Sequence, residues 1–317
     1  STAISESGKP LELRNGRYIQ LLITLQSRTF SDFVRLDSLW IEQAPLLAQQ
    51  VVGEVARLDE KQPAHGFTQV ALGEMTDFVY DISARFESET GFDAIRVRTG
   101  ARTLFKSLKI GAAIDGEDPP ESVSFTQVPP EQVVEEANGL LIHLPEPITG
   151  QRNRPIRLVF AAEVFDLATT FQGEVIDRSR AGLPQFIVDG DVTKELSTNS
   201  LRVLGASGAA PDLLQDLTLS ASAFTPNGDG VNDELQIRYG LFHLPEAVPV
   251  VLEVYSLDGR KVAAVDTGAQ RSGAQSVRWD GRDQDGQLLS PGIYLLSIAV
   301  ASESAGSKKI QPIGIVY

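Results

Sequence analysis

Apolar residues along this chain recur mostly at every second position, the spacing of a strand with one buried face. In "DFVYDISARFE" the residues Phe78, Tyr80, Ile82, Ala84 and Phe86 share one side. "RLDSLWIEQ" sets Leu36, Ser38, Trp40 and Glu42 against Asp37, Leu39 and Ile41, and "NGRYIQLLITLQS" places a hairpin-type Asn-Gly turn before a strand-length run, Tyr18 to Leu25. "FDAIRVRT" and "TLFKSLKIG" repeat Arg and Lys among apolar positions, which predicts a sheet wetted on one side. Later come "GLLIHLPEPI", "IRLVFAAEVFD", "TTFQGEVID" and "VPVVLEVYSLDGRKVAAV", the last being two strands around an Asp258-Gly259 turn with Val248, Val250, Leu252 and Val254 on one face. A helical period fits one place, Ala44 to Glu60, through Leu46, Leu47, Val51, Val55 and Leu58; Gly53 weakens that helix, and the stretch also reads as a strand.

The expected fold is therefore all-β, with tandem immunoglobulin-like β-sandwiches and at most one or two short helices. Two composition breaks divide the chain. "DGEDPPESVSF", 115–125, is acidic and rich in turn formers, and "GASGAAPDLLQD", 205–216, has the composition of a hinge. They predict one sandwich over 1–114, a second over 115–210 and a third module over 217–317. The likeness of "FVYDISARFE" to "IRLVFAAEVF" is open to two readings, an internal duplication or a shared strand pattern.

Composition narrows the partners. The 317 residues carry 42 acids and 28 Lys and Arg, a formal charge of −14, and residues 1–216 hold 31 of the acids against 20 bases. Such a balance repels phosphate backbones, and the densest basic groups are pairs such as Lys308–Lys309, so nucleic acid is not an expected partner. Arg152, Arg154 and Arg157 alternate with other residues, as on a solvated strand edge. There is no cysteine, which removes disulfides and thiolate ligands. The longest apolar runs, such as "YLLSIAVA", have strand length, well short of the roughly 20 residues of a spanning helix. The opening "STAISESGKPLEL" has neither an initiator Met nor a signal-peptide core, which suits an exported, processed chain as well as any trimmed one.

Candidate chemistry is sparse. In "FTPNGDGVND" the side chains of Asn227, Asp229, Asn232 and Asp233 offer oxygens suited to Ca²⁺. Val231 stands where an oxygen ligand is wanted and no Glu follows at the right interval, while Asn and Asp that simply build a turn explain the same letters. His65, His143 and His243 stand far apart and suggest no metal centre or triad. "GASGAA" lacks the nucleophile-elbow form, and no Gly-rich phosphate cradle occurs. Tyr18, Trp40 and Tyr80 are candidates for a sugar platform, although strand aromatics usually fill cores. No cofactor and no enzymatic activity are expected.

The last hundred residues carry a more specific signal. "FTPNGDGVND", "VYSLDGRKV", "WDGRDQDGQLLSPGIYLLSI" and the closing "KKI" together resemble the FlgD-like immunoglobulin-like family, found in flagellar hook-capping proteins and as C-terminal modules of secreted bacterial proteins. The resemblance covers about the last 95 residues; residues 1–216 resemble no family. It implies that Trp279 fills the space between two sheets, that Gly281, Gly286 and Gly292 supply backbone shapes closed to other residues, and that Asp280 and Asp283 hold turn amides. It also implies a non-enzymatic structural protein of the periplasm or cell surface. Such a protein docks to protein partners in a larger assembly, for instance as an accessory subunit on the outer face of a membrane-embedded complex. Two alternatives stay open, a carbohydrate-binding or glycan-processing surface protein, and a secreted protein for which "GSKKIQPIGIVY" ends a type IX-like sorting module.

Overall fold

The computed structural model describes residues 45–317 except 101–102, 115–117, 137, 181–182, 207–211, 245 and 302–305, together with Leu22, Ile23, Arg35 and Asp37. The strands expected over Tyr18–Leu25 and around Trp40 thus lie outside the described residues, apart from isolated positions. Fourteen strands precede the second composition break: β1 (Gln50–Arg57), β2 (Thr68–Val70), β3 (Thr76–Arg85), β4 (Gly91–Arg98), β5 (Thr103–Gly111), β6 (Phe125–Val128), β7 (Gln132–Glu136), β8 (Gly139–Thr149), β9 (Ile156–Ala162), β10 (Ala168–Thr170), β11 (Gln172–Ile176), β12 (Gln185–Phe186), β13 (Val188–Asp189) and β14 (Arg202–Gly205). Eight follow: β15 (Leu214–Leu219), β16 (Ala223–Phe224), β17 (Leu235–Leu241), β18 (Val248–Ser256), β19 (Lys261–Gln270), β20 (Gly273–Trp279), β21 (Gly292–Ala301) and β22 (Gly306–Ile315). Among the described residues the only helical turn is a 3₁₀ turn at Gly150–Arg152, so the protein is all-β, as the period-two pattern predicts.

The first fourteen strands form one sandwich. A six-stranded sheet ordered β13-β1-β3-β9-β5-β6 faces a five-stranded sheet ordered β12-β11-β4-β8-β7, and a small β10-β14-β2 sheet stands beside them. Their inner faces share a single core from Leu47 to Val203 that includes Phe78, Tyr80, Ile95, Ile142, Leu158 and Phe160. The expected division at 114/115 does not follow the pairing. β9 lies between β3 and β5, and β4 lies between β8 and β11, so strands on the two sides of that boundary alternate within each sheet. Alternation tells which side chains are buried but not which strand lies alongside; the acidic stretch is the connection between β5 and β6, which then pair antiparallel. The two similar runs are neighbours, with Phe78 opposite Phe160, and not equivalent strands of two sandwiches.

The helix expected over 44–60 is strand β1. Its apolar residues are not confined to alternate positions because both faces are covered. Val51 and Val55 face the core, while Ala56 on the other face packs with Val79 and Leu196. Gly53 serves a close approach: a Cβ there would stand 2.6 Å from the Tyr80 ring.

The C-terminal strands pair only with one another. A β15-β17-β20 sheet packs on a β16-β22-β21-β18-β19 sheet around a second core containing Leu235, Ile237, Leu252, Val254, Trp279, Leu296 and Ile298. Leu214 is fully buried there and pairs with Leu241, so this unit begins slightly before the expected residue 217. The two sandwiches meet where Phe165 packs on Phe242, ring centroids 5.2 Å apart, and His243 N donates to the Phe165 carbonyl at 3.3 Å.

Candidate interaction surface

The four residues considered for Ca²⁺ share one loop between β16 and β17, and their side chains are engaged with that loop. The Asp233 carboxylate accepts from Gly228 N at 2.6 Å and Gly230 N at 2.7 Å. Asn227 Oδ1 accepts from Asp229 N at 3.0 Å, and Asp229 Oδ1 accepts from Val231 N at 2.8 Å. Asn232, at φ 58°, donates through Nδ2 to the Ala223 carbonyl at 3.2 Å. Among the described residues no group of three or more His, Cys, Asp or Glu side chains gathers as a metal site would require.

Trp279, at the end of β20, is 4% exposed and packs on Phe224 at 5.6 Å between centroids. Its Nε1 donates to the Arg282 carbonyl at 3.0 Å, so the one polar atom of the indole is satisfied. Gly281 has φ +77°, and a Cβ there would crowd Phe224 and Pro226, so both backbone and packing demand glycine. Gly286 is also left-handed, whereas Gly292 opens β21 without a positive φ, so no special backbone is needed there. Asp280 accepts from Arg282 N, and Asp283 accepts from Asp285 N and Gln287 N. The histidines do not converge: His65 is an exposed loop residue against Phe67, His143 lies on β8 beside Arg178, and His243 sits at the junction of the sandwiches. Tyr80 is fully buried and can offer no platform to a sugar, while Tyr18 and Trp40 lie outside the described residues.

Sequence reasoning missed a buried row of charges on the outer face of the six-stranded sheet. Glu54, Asp81 and Arg157 stand opposite one another on β1, β3 and β9. Arg157 is not on a solvated edge; it is 6% exposed on a central strand. Its Nε and Nη2 donate to the two Asp81 oxygens, each at 2.7 Å, and Nη1 and Nη2 donate to Glu195 at 3.1 and 2.8 Å. Its guanidinium lies 4.1 Å from the Phe125 ring centroid. Burial opposes that charge, but the bonds from Asp81 and Glu195 outweigh it and raise the Arg157 pKa. Glu195, held by Arg157 and Lys61, falls to about 2. The cover comes from residues 190–200, whose amides at Val192, Thr193 and Asn199 bond the Glu54 carboxylate. Burial still drives Glu54 up to about 7, helped by nearby Asp191 and opposed by the three amides.

This row is internal, so it offers nothing to a partner. The opposite situation holds on the outer face of the C-terminal five-stranded sheet. The register makes three rows across β18, β21 and β22: Val251–Ala299–Lys308, Glu253–Ser297–Ile310 and Tyr255–Leu295–Pro312. The inward residues Leu252, Val254, Leu296 and Ile298 are buried, whereas outward Val251 is 48% exposed, Ile293 61%, Ile310 57%, and Leu257 just beyond β18 67%. Glu253, in the middle of the face, is bound by Lys261 Nζ at 3.0 Å and Tyr255 OH at 2.5 Å. Lys308, on the same face as Ile310, makes no ion pair among the described residues, whereas Lys309 has the inward parity of Ile298.

No curated protein matches the chain. Among solved structures it is similar to PorZ, an essential bacterial surface component of the type-IX secretion system of Porphyromonas gingivalis, at 14% identity over 46% of this chain and 15% of PorZ, with a TM-score of 0.26. It is similar to dimeric latent PorU of the same organism, at 12% identity over 84% of this chain and 34% of PorU, TM-score 0.29. A third is the pilus backbone protein RrgB of Streptococcus pneumoniae, at 10% identity over 84% of this chain and 57% of that one, TM-score 0.26. The chain thus spans less than two thirds of each. The motifs of the last hundred residues have a firmer counterpart: residues 231–304, which include β18 and all of β21 from the exposed face, match the FlgD Ig-like domain family.

Proposed function

We propose that the protein is a non-enzymatic scaffolding component of the bacterial envelope, working outside the cytoplasm and docking to a larger protein assembly through the outer face of its C-terminal sandwich. The observation that carries this reading is that the outer face around β21 keeps large apolar side chains in water, Ile293 at 61% and Ile310 at 57% exposure among the described residues, while the inner face is filled by the core. Leu296, Ile298 and Val300 fill the core, and Ile293 and Leu295 stand on the other face beside Ile310 and Pro312. Large exposed apolar patches on a soluble domain mark interaction sites, because leaving them in water forgoes about 25 cal/mol per Å² of burial. A flat sheet suits a protein surface better than a small ligand, which requires a concave site. An accessory subunit held on the outer face of a membrane-embedded complex is the specific form of this role.

The test is site-specific photo-crosslinking in native cells from a reactive residue at Ile293. A discrete cross-linked protein, lost when Ile310→Asp is added, supports docking. A face that cross-links to nothing, in a protein that fractionates free of every assembly, overturns it. Retention on polysaccharide at a site unaffected by Ile310→Asp would favour a carbohydrate-binding role instead.

A further inference from the structure

The docking face has a chemical complement on the same chain. A groove of about 460 Å³ lies where β1 ends and β3 begins, lined by Arg57, Leu58, Asp59, Glu74, Met75 and Asp77, among others. Leu58 and Met75 are 38% and 45% exposed, a pair of apolar side chains open to water. The cations nearby are already taken. Arg57 is paired with Asp59 and Glu60, and Lys106 with Asp77. Glu74 makes no ion pair among the described residues, so the groove combines apolar contact with unneutralised negative charge. The rim of the C-terminal face reverses this pattern: exposed Ile310 shares its face with Lys308, on a chain whose net charge is −14.

Resting on the reading of that face as a docking surface, we propose that its occupant is the Leu58–Met75 groove of a second copy of this protein. Ile310 and its apolar neighbours would meet Leu58 and Met75, and Lys308 would meet Glu74. Both patches are exposed within one chain, so neither covers the other there. Because the two surfaces differ, the contact is heterologous: after a first contact the pair has one free face and one free groove, and copies add head to tail unless the rotation closes a ring. Apolar centres with opposite charge at the rim favour this pairing over two like faces, since lysine against lysine is repulsive. They also favour it over an anionic lipid surface, which the strongly acidic chain as a whole would meet with repulsion.

The test uses two exposed substitutions that leave both cores alone, Ile310→Asp on the face and Met75→Asp in the groove. Sedimentation velocity of the intact protein across a concentration series should show mass growing beyond a dimer, and raised salt should reduce it as screening weakens the rim. Each variant alone should stay monomeric. An equimolar mixture of the two should form a heterodimer and nothing larger, because only one intact face and one intact groove remain between them. A wild-type protein that is monomeric throughout overturns the proposal, as does a dimer that Met75→Asp leaves unchanged, which would mean like faces pairing. Monomeric protein that co-sediments with phosphatidylglycerol vesicles and loses this on Ile310→Asp would assign the face to a membrane instead. Monomers whose Ile293 cross-links persist in cells would sink self-association alone; loss of both would sink the docking role with it.

Discussion

Replacing Asp81 by alanine tests whether the buried row holds the N-terminal sandwich together as a unit. Asp81 is fully buried, and it gives Arg157 two of the guanidinium's four hydrogen bonds to carboxylates. Its loss leaves a cation under the 190–200 cover with Glu195 as its remaining counter-charge. Breaking a buried pair from one side costs about 3–5 kcal/mol, and because Glu195 still neutralises part of the charge the expected loss lies near the lower end, about 3 kcal/mol. For a sandwich of this size that corresponds to roughly 6–12 °C in the midpoint, at about 2–4 °C per kcal/mol. Removing both charges with Asp81→Leu and Arg157→Met should recover most of the loss, since the Met side chain keeps apolar contact with Phe125 and the part-exposed Glu195 retains Lys61 as its partner.

Differential scanning calorimetry reads this directly. The transition of the N-terminal sandwich should fall in Asp81→Ala and rise again in the double variant, while the C-terminal transition stays in place. A single variant that loses less than about 1 kcal/mol would mean that water reaches Arg157 as at a surface pair. A double variant worse than the single would mean that the charges are net stabilising, contrary to the cost of desolvating them.

Trp279→Ala should lower only the C-terminal transition, by about 3–5 kcal/mol, through lost burial and the cavity left against Phe224; an unchanged midpoint would place the indole outside the core. Chelation by EDTA should leave that transition unmoved, because the Asn227, Asp229 and Asp233 oxygens already accept backbone amides, whereas losing a cation at a hundredfold over its Kd would cost about 2.7 kcal/mol. The N-terminal midpoint should depend on pH with two opposed limbs. Glu54, raised from its ordinary 4.5 to about 7, contributes stability that is fully present below pH 4.5 and lost as pH rises through about 7. Glu195, lowered from 4.5 to about 2, contributes stability present above 4.5 and lost as pH falls through about 2. Glu54→Gln should flatten the first limb and Glu195→Gln the second, in midpoints measured from pH 2 to 8; an unaltered profile in either variant refutes that assignment.

Fold class was legible because alternation survives wherever one face of a sheet stays wet, as in β18 and β20. It failed where both faces are covered. In β1 the cover over Glu54 and Ala56 hid the period and left a spacing that a helix fits equally well. Strand partners were illegible for a different reason: nothing local in "IRLVFAAEVF" says that it inserts between β3 and β5. Arg157 shows the limit for charges, because alternation suggested a solvated edge, whereas its strand is central and the segment that buries it lies more than thirty residues further on. At the C-terminal face the signal was present and unread. "GIYLLSIAV" is apolar at both parities, which in an antiparallel sandwich predicts cover on both sides. The turn chemistry of Asp280, Asp283 and Gly281 was readable because it is local, each aspartate reaching an amide two residues on.

The same distinction bears on how the two sandwiches cooperate. Their cores are separate, and the buried link between them is the contact of Phe165 with Phe242, flanked by Leu72. Phe242 follows β17 directly, and room for its ring is left by two glycines: a Cβ on Gly73 of the first sandwich would lie 2.9 Å from it, and one on Gly240 of the second 2.7 Å. A contact of this size orients two units without merging their unfolding, since interfaces within a chain need large apolar areas to behave as one core. The docking face lies on β18, β21 and β22, in the sheet packed against the one that contains β17. Force or binding at that face therefore reaches the N-terminal sandwich through β17 and the contacts of Phe242 and His243 with Phe165, while the charges at 54, 81 and 157 lie buried inside the other sandwich. The buried charges and the exposed C-terminal face thus lie in different sandwiches, and this is why the Asp81 and Ile310 substitutions should report on stability and docking separately.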